Sequence, residues 1–426
     1  MKFGLIFSKQ LTSQANLMLT EVGRIATGLK QSVYLVGGAV RDVLLERSSN
    51  DLDFVTEGDG IKLAQAVCQQ LGGELTTHDR FGTAVWTPPT ELFNFTIDFI
   101  TARKETYAHP AALPNVSPSH MGDDLIRRDF TVNALAVRLD GKYFGELIDG
   151  HGGQADLNNK LIRILHPQSF ADDPTRIFRA VRYANRLGFT LSAETASALQ
   201  GNIDKVELLS ADRLRHEFEK ILGEVEPAPI LEALDALGVL AQISDQMRWD
   251  AKSEVAFKQL GSLLQAEPGK SAVVESDTTS LRFLSWICTH AAPKQTADAF
   301  AQSLNFSADL RQDLENITQF LKPNQTLENN PAPGTVEKAF RKLSATQLTI
   351  LQVVDYLPTD VQALIKVYFT EWRQIKTFID GNKLKQMGLP PGPRYKIILD
   401  ALLEAKLNGK VKTEQDEIQL VETLIG

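Results

Sequence analysis

Alternation of apolar and polar positions, interleaved with helical spacing, marks the first ~150 residues of the chain. Residues 34–36 form an apolar run that ends in Gly37-Gly38. Residues 52–55 and 95–100 alternate, and residues 134–138 lead into a loop at Asp140-Gly141 before a further run at 143–148. Alternation sends successive side chains to opposite faces, so these segments predict strands. Spacing at 40–46 and 61–71 predicts helices between them. Past about Asp156 the strand signals stop, and residues 175–187, 193–201, 211–222, 229–237 and 255–264 read as helices. The remainder is helical as well. It is interrupted at 322–335, where Pro and Asn accumulate and a linker is expected. No internal repeat is visible. The expected fold class is α+β: a head with a small mixed sheet, followed by an all-helical region.

Composition narrows this picture. A chain of 426 residues is too long for one ordinary domain, so two to four units are expected. With 43% hydrophobic and 23% charged residues, neither dominant disorder nor a collagen-like chain fits. No apolar run is long enough to span a bilayer, and the first ten residues do not read as a secretory signal. Cys68 and Cys288 lie far apart and form neither a disulfide framework nor a zinc motif. A reducing, cytoplasmic location and no membrane partner are therefore expected. Charge amounts to 45 basic against 53 acidic residues, or −8, which by itself disfavours nucleic-acid binding. Basic residues gathered on one face can override that sum.

The candidate chemistry starts at the end of the first predicted strand. Gly37-Gly38 leads into a helix that carries Arg41 and Asp42. Glycines let a backbone approach a phosphate, and a helix start offers N–H donors. A plain strand–turn–helix junction uses glycine equally well. Asp51 and Asp53 follow, and alternation places both on one face with Leu52 and Phe54 on the other. Paired carboxylates repel unless a cation lies between them, and oxygen ligands beside substrate phosphates suit Mg²⁺. An isolated Asp-x-Asp is more often a solvated strand edge; after Gly-Gly-x-x-Arg-Asp the metal reading is preferred. Asp98 is either a third carboxylate of that cluster, as phosphoryl transfer with two metals requires, or an ordinary acid on an edge strand.

Arg176, Arg179, Arg182 and Arg186 fall within about 120° of one helical face. A solvated basic face and a grip on triphosphate and RNA both fit this stripe, and the acids upstream favour the second. Asp173 and Arg176 lie three residues apart. A carboxylate accepts from an exocyclic amine and a guanidinium donates to an unprotonated ring nitrogen, the pair of groups that cytosine and adenine share. Uracil and guanine present the opposite pattern.

These residues together resemble a known family. Gly37-Gly38-x-x-Arg41-Asp42 with Asp51-x-Asp53 is similar to the active-site signature of class II tRNA nucleotidyltransferases. That group comprises the CCA-adding enzymes and the related bacterial poly(A) polymerases, within the DNA polymerase β-like nucleotidyltransferase superfamily. Residues 127–134 (RRDFTVNA) resemble its second motif, 149–163 its head-to-neck connection and 171–182 its nucleotide-reading helix, with Asp172 where Glu is more usual.

The resemblance implies a polymerase β-like nucleotidyltransferase head at 1–157, a helical neck at 158–225, a body at 226–325 and a tRNA-binding tail at 326–426. It implies CTP and ATP as substrates, tRNA as partner and Mg²⁺ as cofactor. Asp51 and Asp53 would hold the metal, with Asp98 as a third catalytic carboxylate. Gly37, Gly38 and Arg41 would take the triphosphate, with Arg128, Arg179 and Arg182 in support. Asp129 and Asn133 join the nucleotide site, and Asp173 with Arg176 reads the base. The loop at 103–124 is not visibly deleted, which argues for full CCA addition. CC-only or A-only addition, poly(A) synthesis and a degenerate RNA-binding head remain as alternatives. His78-Asp79 has no companion histidines, so no phosphohydrolase activity is expected.

Overall fold

The computed structural model describes residues 10–49, 52–265, 277–290, 294–321, 327, 331–354 and 357–425. Asp51 lies outside the described residues. The chain divides into two compact units, Met1–Ser210 with Leu237–Gln242, and Ala211–Ala236 with Ile243–Gly426.

In chain order the first unit contains α1 (Ser13–Gly28), β1 (Ser32–Val36), α2 (Gly38–Leu44), β2 (Leu52–Glu57), α3 (Gly60–Leu71), β3 (Glu74–His78), β4 (Thr83–Thr87) and β5 (Ile97–Thr101). Next come β6 (Arg103–Thr106), β7 (Asn115–Pro118), α4 (Met121–Ile126), β8 (Ala136–Arg138), β9 (Glu146–Ile148) and α5 (Gly153–Asn158). It continues through β10 (Leu161–Ile162), α6 (Ser169–Asp172), α7 (Thr175–Leu187), β11 (Thr190–Leu191) and α8 (Ala193–Gln200).

A seven-stranded sheet runs in the order β3-β4-β5-β2-β1-β8-β9. β2 and β5 are parallel, and the other neighbours in it are antiparallel. Parallel neighbours need a crossover, here α3 with the β3–β4 hairpin. One face carries Phe54 and Phe99, whose rings stack at 5.4 Å, together with Trp86. The Trp86 indole donates to the Gly72 carbonyl at the end of α3, so α3 covers this face. On the opposite face Tyr34, Val36, Val55, Met121, Leu125 and Ala136 form a second buried cluster.

After α9 (Ala211–Leu222) and α10 (Ala228–Ala236) of the second unit comes α11 (Val239–Ile243), all but its last residue in the first unit, and the second unit continues with α12 (Ala251–Leu264), α13 (Thr278–His290), α14 (Lys294–Ser303) and α15 (Ala308–Phe320). It ends with α16 (Pro333–Phe340), α17 (Ala345–Val353), α18 (Thr359–Thr370), α19 (Gly381–Gln386), α20 (Pro393–Leu407) and α21 (Glu414–Ile425). Phe218 of α9 packs against Phe283 and Trp286 of α13, with ring centroids at 6.4 and 5.4 Å. Around α19, α20 and α21 a separate cluster forms from Ile379, Leu384, Leu389, Ile398, Leu402 and Val421. Among the described residues no helix is long and apolar enough to cross a membrane.

The α+β class and the small mixed sheet of the head match the expectation from the sequence. The details differ in four places. Strand structure does not stop at Asp156, because β10 and β11 pair as a parallel two-residue ladder. The run at 143–148 is strand only from Glu146, since Gly141–Tyr143 closes a 3-10 turn first. β3 and β4 were not expected, since β3 (ELTTH) is polar on both faces. Of the expected linker at 322–335, residues 333–335 open α16, where Pro333 suits a first helical turn. Residues 322–326 and 328–330 of it lie outside the described residues.

Candidate active site

The acids sit where the sheet brings distant segments together. Asp53 and Asp98 are register partners on the parallel pair β2–β5. Register partners on parallel strands face the same side, and neighbouring strands run about 4.8 Å apart. The two carboxylates therefore stand side by side on the face opposite the Phe54–Phe99 stack. β5 lies between β4 and β2, so Asp98 is on an interior strand and not on the edge strand that was its alternative. Leu35 pairs with Phe54, so one residue further on, Val36 and the Gly37 turn reach the level of Asp53. Two hard carboxylates at this spacing fit a magnesium ion, which takes few protein oxygens and leaves room for phosphate. Among the described residues no group of three His, Cys, Asp or Glu side chains could hold a metal.

The turn itself requires glycine. Gly37 has φ 68° and ψ −128°, and its N–H donates to the Leu135 carbonyl at 3.1 Å. A Cβ there would come within 3.0 Å of a terminal nitrogen of Arg128. Arg128 thus stands directly against the turn, while its other terminal nitrogen donates to Asp124 at 3.0 Å. Asp124 is fully buried and also takes Arg127. Burial would raise its pKa, but Arg128 and Arg127 override that and hold the carboxyl below its ordinary value.

Arg41 is only 3% exposed. Its guanidinium donates to both Asp42 oxygens, at 2.8 and 3.0 Å, and to Asn133 at 2.7 Å. The Asn133 amide donates to Asp129 at 3.0 Å, and Arg179 of α7 closes the chain on the other Asp129 oxygen at 2.6 and 2.9 Å. Burial pushes the Asp129 carboxyl up, but Arg179, the Asn133 amide and Arg176 pull it below the usual range. One continuous polar network therefore links Arg41, Asn133, Asp129 and Arg179, drawn from three separate stretches of sequence.

On α7, Arg176 is buried and donates to the Ser169 hydroxyl at 2.7 Å and to the Arg127 carbonyl at 2.6 Å. One Asp173 oxygen accepts from the Thr175 N–H and hydroxyl. Arg186 at the far end is exposed. The sequence reading missed Tyr183, over whose ring Arg41, Arg179 and Arg182 all lie. It also missed Glu105 and Asp124, which tie β6 and α4 to Arg127. The only available signal was a carboxylate near each of two adjacent arginines, a weak pattern.

Residues 33–163 match the Poly A polymerase head domain, and residues 188–248 match the probable RNA and SrmB-binding site of polymerase A. The A-adding tRNA nucleotidyltransferase of Halalkalibacterium halodurans is 30% identical over 427 residues, covering 97% of this chain and 93% of that protein. This chain belongs to the tRNA nucleotidyltransferase family. A second relative in the family, the A-adding tRNA nucleotidyltransferase of Geobacter sulfurreducens, is 32% identical over 424 residues. The match covers 97% of this chain and 48% of that protein, so the chain spans about half that relative's length. Among solved members of the family, a CCA-adding enzyme in an apo form superposes with a TM-score of 0.81 at 26% identity, over 100% of this chain and 99% of that one.

Proposed function

We propose that this chain extends the 3′ end of tRNA without a nucleic-acid template, taking nucleotides from ATP and CTP and releasing pyrophosphate. The observation that carries this reading is the in-register pair Asp53 and Asp98 beside the Gly37 turn. Asp53 and Asp98, with Asp51 from outside the described residues, would hold Mg²⁺. Once bound, that ion would lower the pKa of the attacking hydroxyl and offset charge on the phosphate.

The chain's own groups do the rest. The Gly37-Gly38 turn would take the triphosphate, with the Arg128 guanidinium against Gly37 and that of Arg41 against Gly38 as cations for it. Asp129 accepts from Arg179 and from the Asn133 amide, and the Asn133 oxygen accepts from Arg41, which keeps the two arginines in one frame. Asp173 and Arg176 supply an acceptor and a donor for an amine and an unprotonated ring nitrogen, the features shared by cytosine and adenine. Arg176 is anchored by Ser169 and Arg127, which gives that donor a set position.

Which bases are added is a finer matter. Three relatives at 32, 30 and 41% identity carry A-adding names, which favours ATP and the last position, whereas one at 34% over 222 residues is named a multifunctional CCA protein. The CCA reading draws on the solved CCA-adding neighbour and on the retained β6–β7 hairpin. The test is end-sequencing of tRNA ending at the discriminator base, at C or at CC, incubated with CTP alone, ATP alone and both. Growth of the CC-ended tRNA by a single A is expected. Growth of the shorter substrates by CTP assigns full CCA addition. No extension of any substrate sinks the whole reading, and many-fold A addition to arbitrary RNA replaces it with poly(A) synthesis.

A further inference from the structure

Tyr183 occupies a position in the site that no part of the mechanism above uses. The guanidinium carbons of Arg182, Arg41 and Arg179 lie 4.9, 5.5 and 5.9 Å from the centre of its ring. Three cations around one point repel one another strongly unless something offsets them. Asp42 faces Arg41 and Asp129 faces Arg179. The ring itself supplies a negative π face, which attracts guanidinium groups.

The three arginines come from two places. Arg41 follows the glycine turn on α2, whereas Arg179 and Arg182 belong to α7. Residues four apart on a helix share a face, so Tyr183 lies over Arg179. The ring is held in orientation by the buried Phe130, which meets it edge-on with centroids 6.0 Å apart and an interplanar angle of 85°. Phe130 directly follows Asp129, so one short segment fixes both the carboxylate that holds Arg179 and the ring that Arg179 rests on. The aromatic group is thus the common neighbour of the turn-side arginine and the two arginines of the helix.

We propose that Tyr183 is a positioning residue that gathers Arg41, Arg179 and Arg182 into one preset cationic cradle for the triphosphate. This rests on the reading of the site given under Proposed function. Its requirement is the ring face and not the hydroxyl.

The experiment compares the full-length wild-type chain, Tyr183→Phe, Tyr183→Leu, and the chain with pentafluorophenylalanine in place of Tyr183. Fluorination keeps the ring's shape and abolishes its negative face, which separates cation attraction from packing. Tripolyphosphate is titrated into each by calorimetry without Mg²⁺, and thermal unfolding checks that each chain is folded. Tyr183→Phe should bind like wild type, whereas the fluorinated and leucine chains should bind on the order of tenfold more weakly. In nucleotide incorporation the loss should fall on KM for the nucleoside triphosphate more than on kcat. Wild-type affinity in a folded fluorinated chain overturns the proposal, as does a wild-type protein that binds no tripolyphosphate. Absent incorporation, with the difference in tripolyphosphate affinity intact, refutes the proposed function and leaves this cradle standing. The fluorinated chain serves the comparison alone should Tyr183→Leu fail to fold.

Discussion

Gly37 shows how much one residue decides at this site. Its φ of 68° is open to glycine and strained for any other residue, and a Cβ would meet Arg128 at 3.0 Å. Gly37→Ala should therefore cost about 1–3 kcal/mol of stability and displace Arg128, which thermal unfolding and nucleotide incorporation would register. Gly38→Ala should do far less, since its Cβ would meet Arg41 at an ordinary 3.6 Å. Equal effects of the two changes would contradict the account of the turn. At the proposed metal site, Asp53→Ala should abolish incorporation while nucleoside triphosphate binding partly survives, as equilibrium dialysis would measure. Retained turnover would refute the assignment of Asp53 as a metal ligand. The glycines and the alternating acids were legible in the sequence because each leaves a local pattern. Tyr183 was not, because its partners Arg41 and Phe130 lie 142 and 53 residues away (183 − 41 and 183 − 130).

Among the elements, α7 and the β6–β7 hairpin meet at Arg127. Its side chain holds Glu105 and Asp124, and its carbonyl accepts from Arg176. Arg176→Ala should relax discrimination against UTP and also loosen α7, so both the misincorporation ratio and the melting temperature should change. A variant that melts earlier yet discriminates as before would confine Arg176 to anchoring. Asp124→Asn leaves two arginines facing a neutral amide in a buried place, which should destabilise the chain by about 3–5 kcal/mol in denaturant unfolding. Helix α7 was readable to its ends, Thr175 and Leu187, because Pro174 and Gly188 flank it. β6 was not, because RKET carries no apolar alternation. Its place is set by a ladder with β7 and by the ion pair of Glu105 with Arg127, neither of which a local window contains.

For the whole molecule, acid should be felt through the same carboxylates. Asp124 and Asp129 are held below their ordinary values, by arginines in both cases and by the Asn133 amide at Asp129. Each contributes stability that is complete above the unfolded value of about 3.9 and is lost as pH falls through the lower folded value. The decline in melting temperature below about pH 4 should be shallower in Asp129→Asn than in wild type. An unchanged slope would deny that carboxylate its role. In the second unit, the basic residues of the segment at 326–426, the expected tRNA-binding tail, divide by environment. Lys385, Arg394, Lys396, Lys410 and Lys412 are exposed, whereas Lys406 is tied to the buried Glu417 and lies over Phe378. Neutralising Lys385, Lys396, Lys410 and Lys412 should weaken tRNA binding and flatten its salt dependence, while Lys406→Gln should mainly lower stability. The net charge of −8 hid this distribution, since a sum records no positions.

The parallel pairing of β2 with β5 carries a further consequence. Asp53 and Asp98 stand 45 positions apart along the chain (98 − 53), so no local segment can assemble their site. They become neighbours only after the crossover through α3, β3 and β4 has closed. One residue inserted within β5, between Ile97 and Asp98, would turn Asp98 toward the Phe54 side and bring the Phe99 ring to the side of Asp53. A nascent or partly unravelled chain therefore lacks the acidic pair, and the chemistry proposed for it requires the finished sheet.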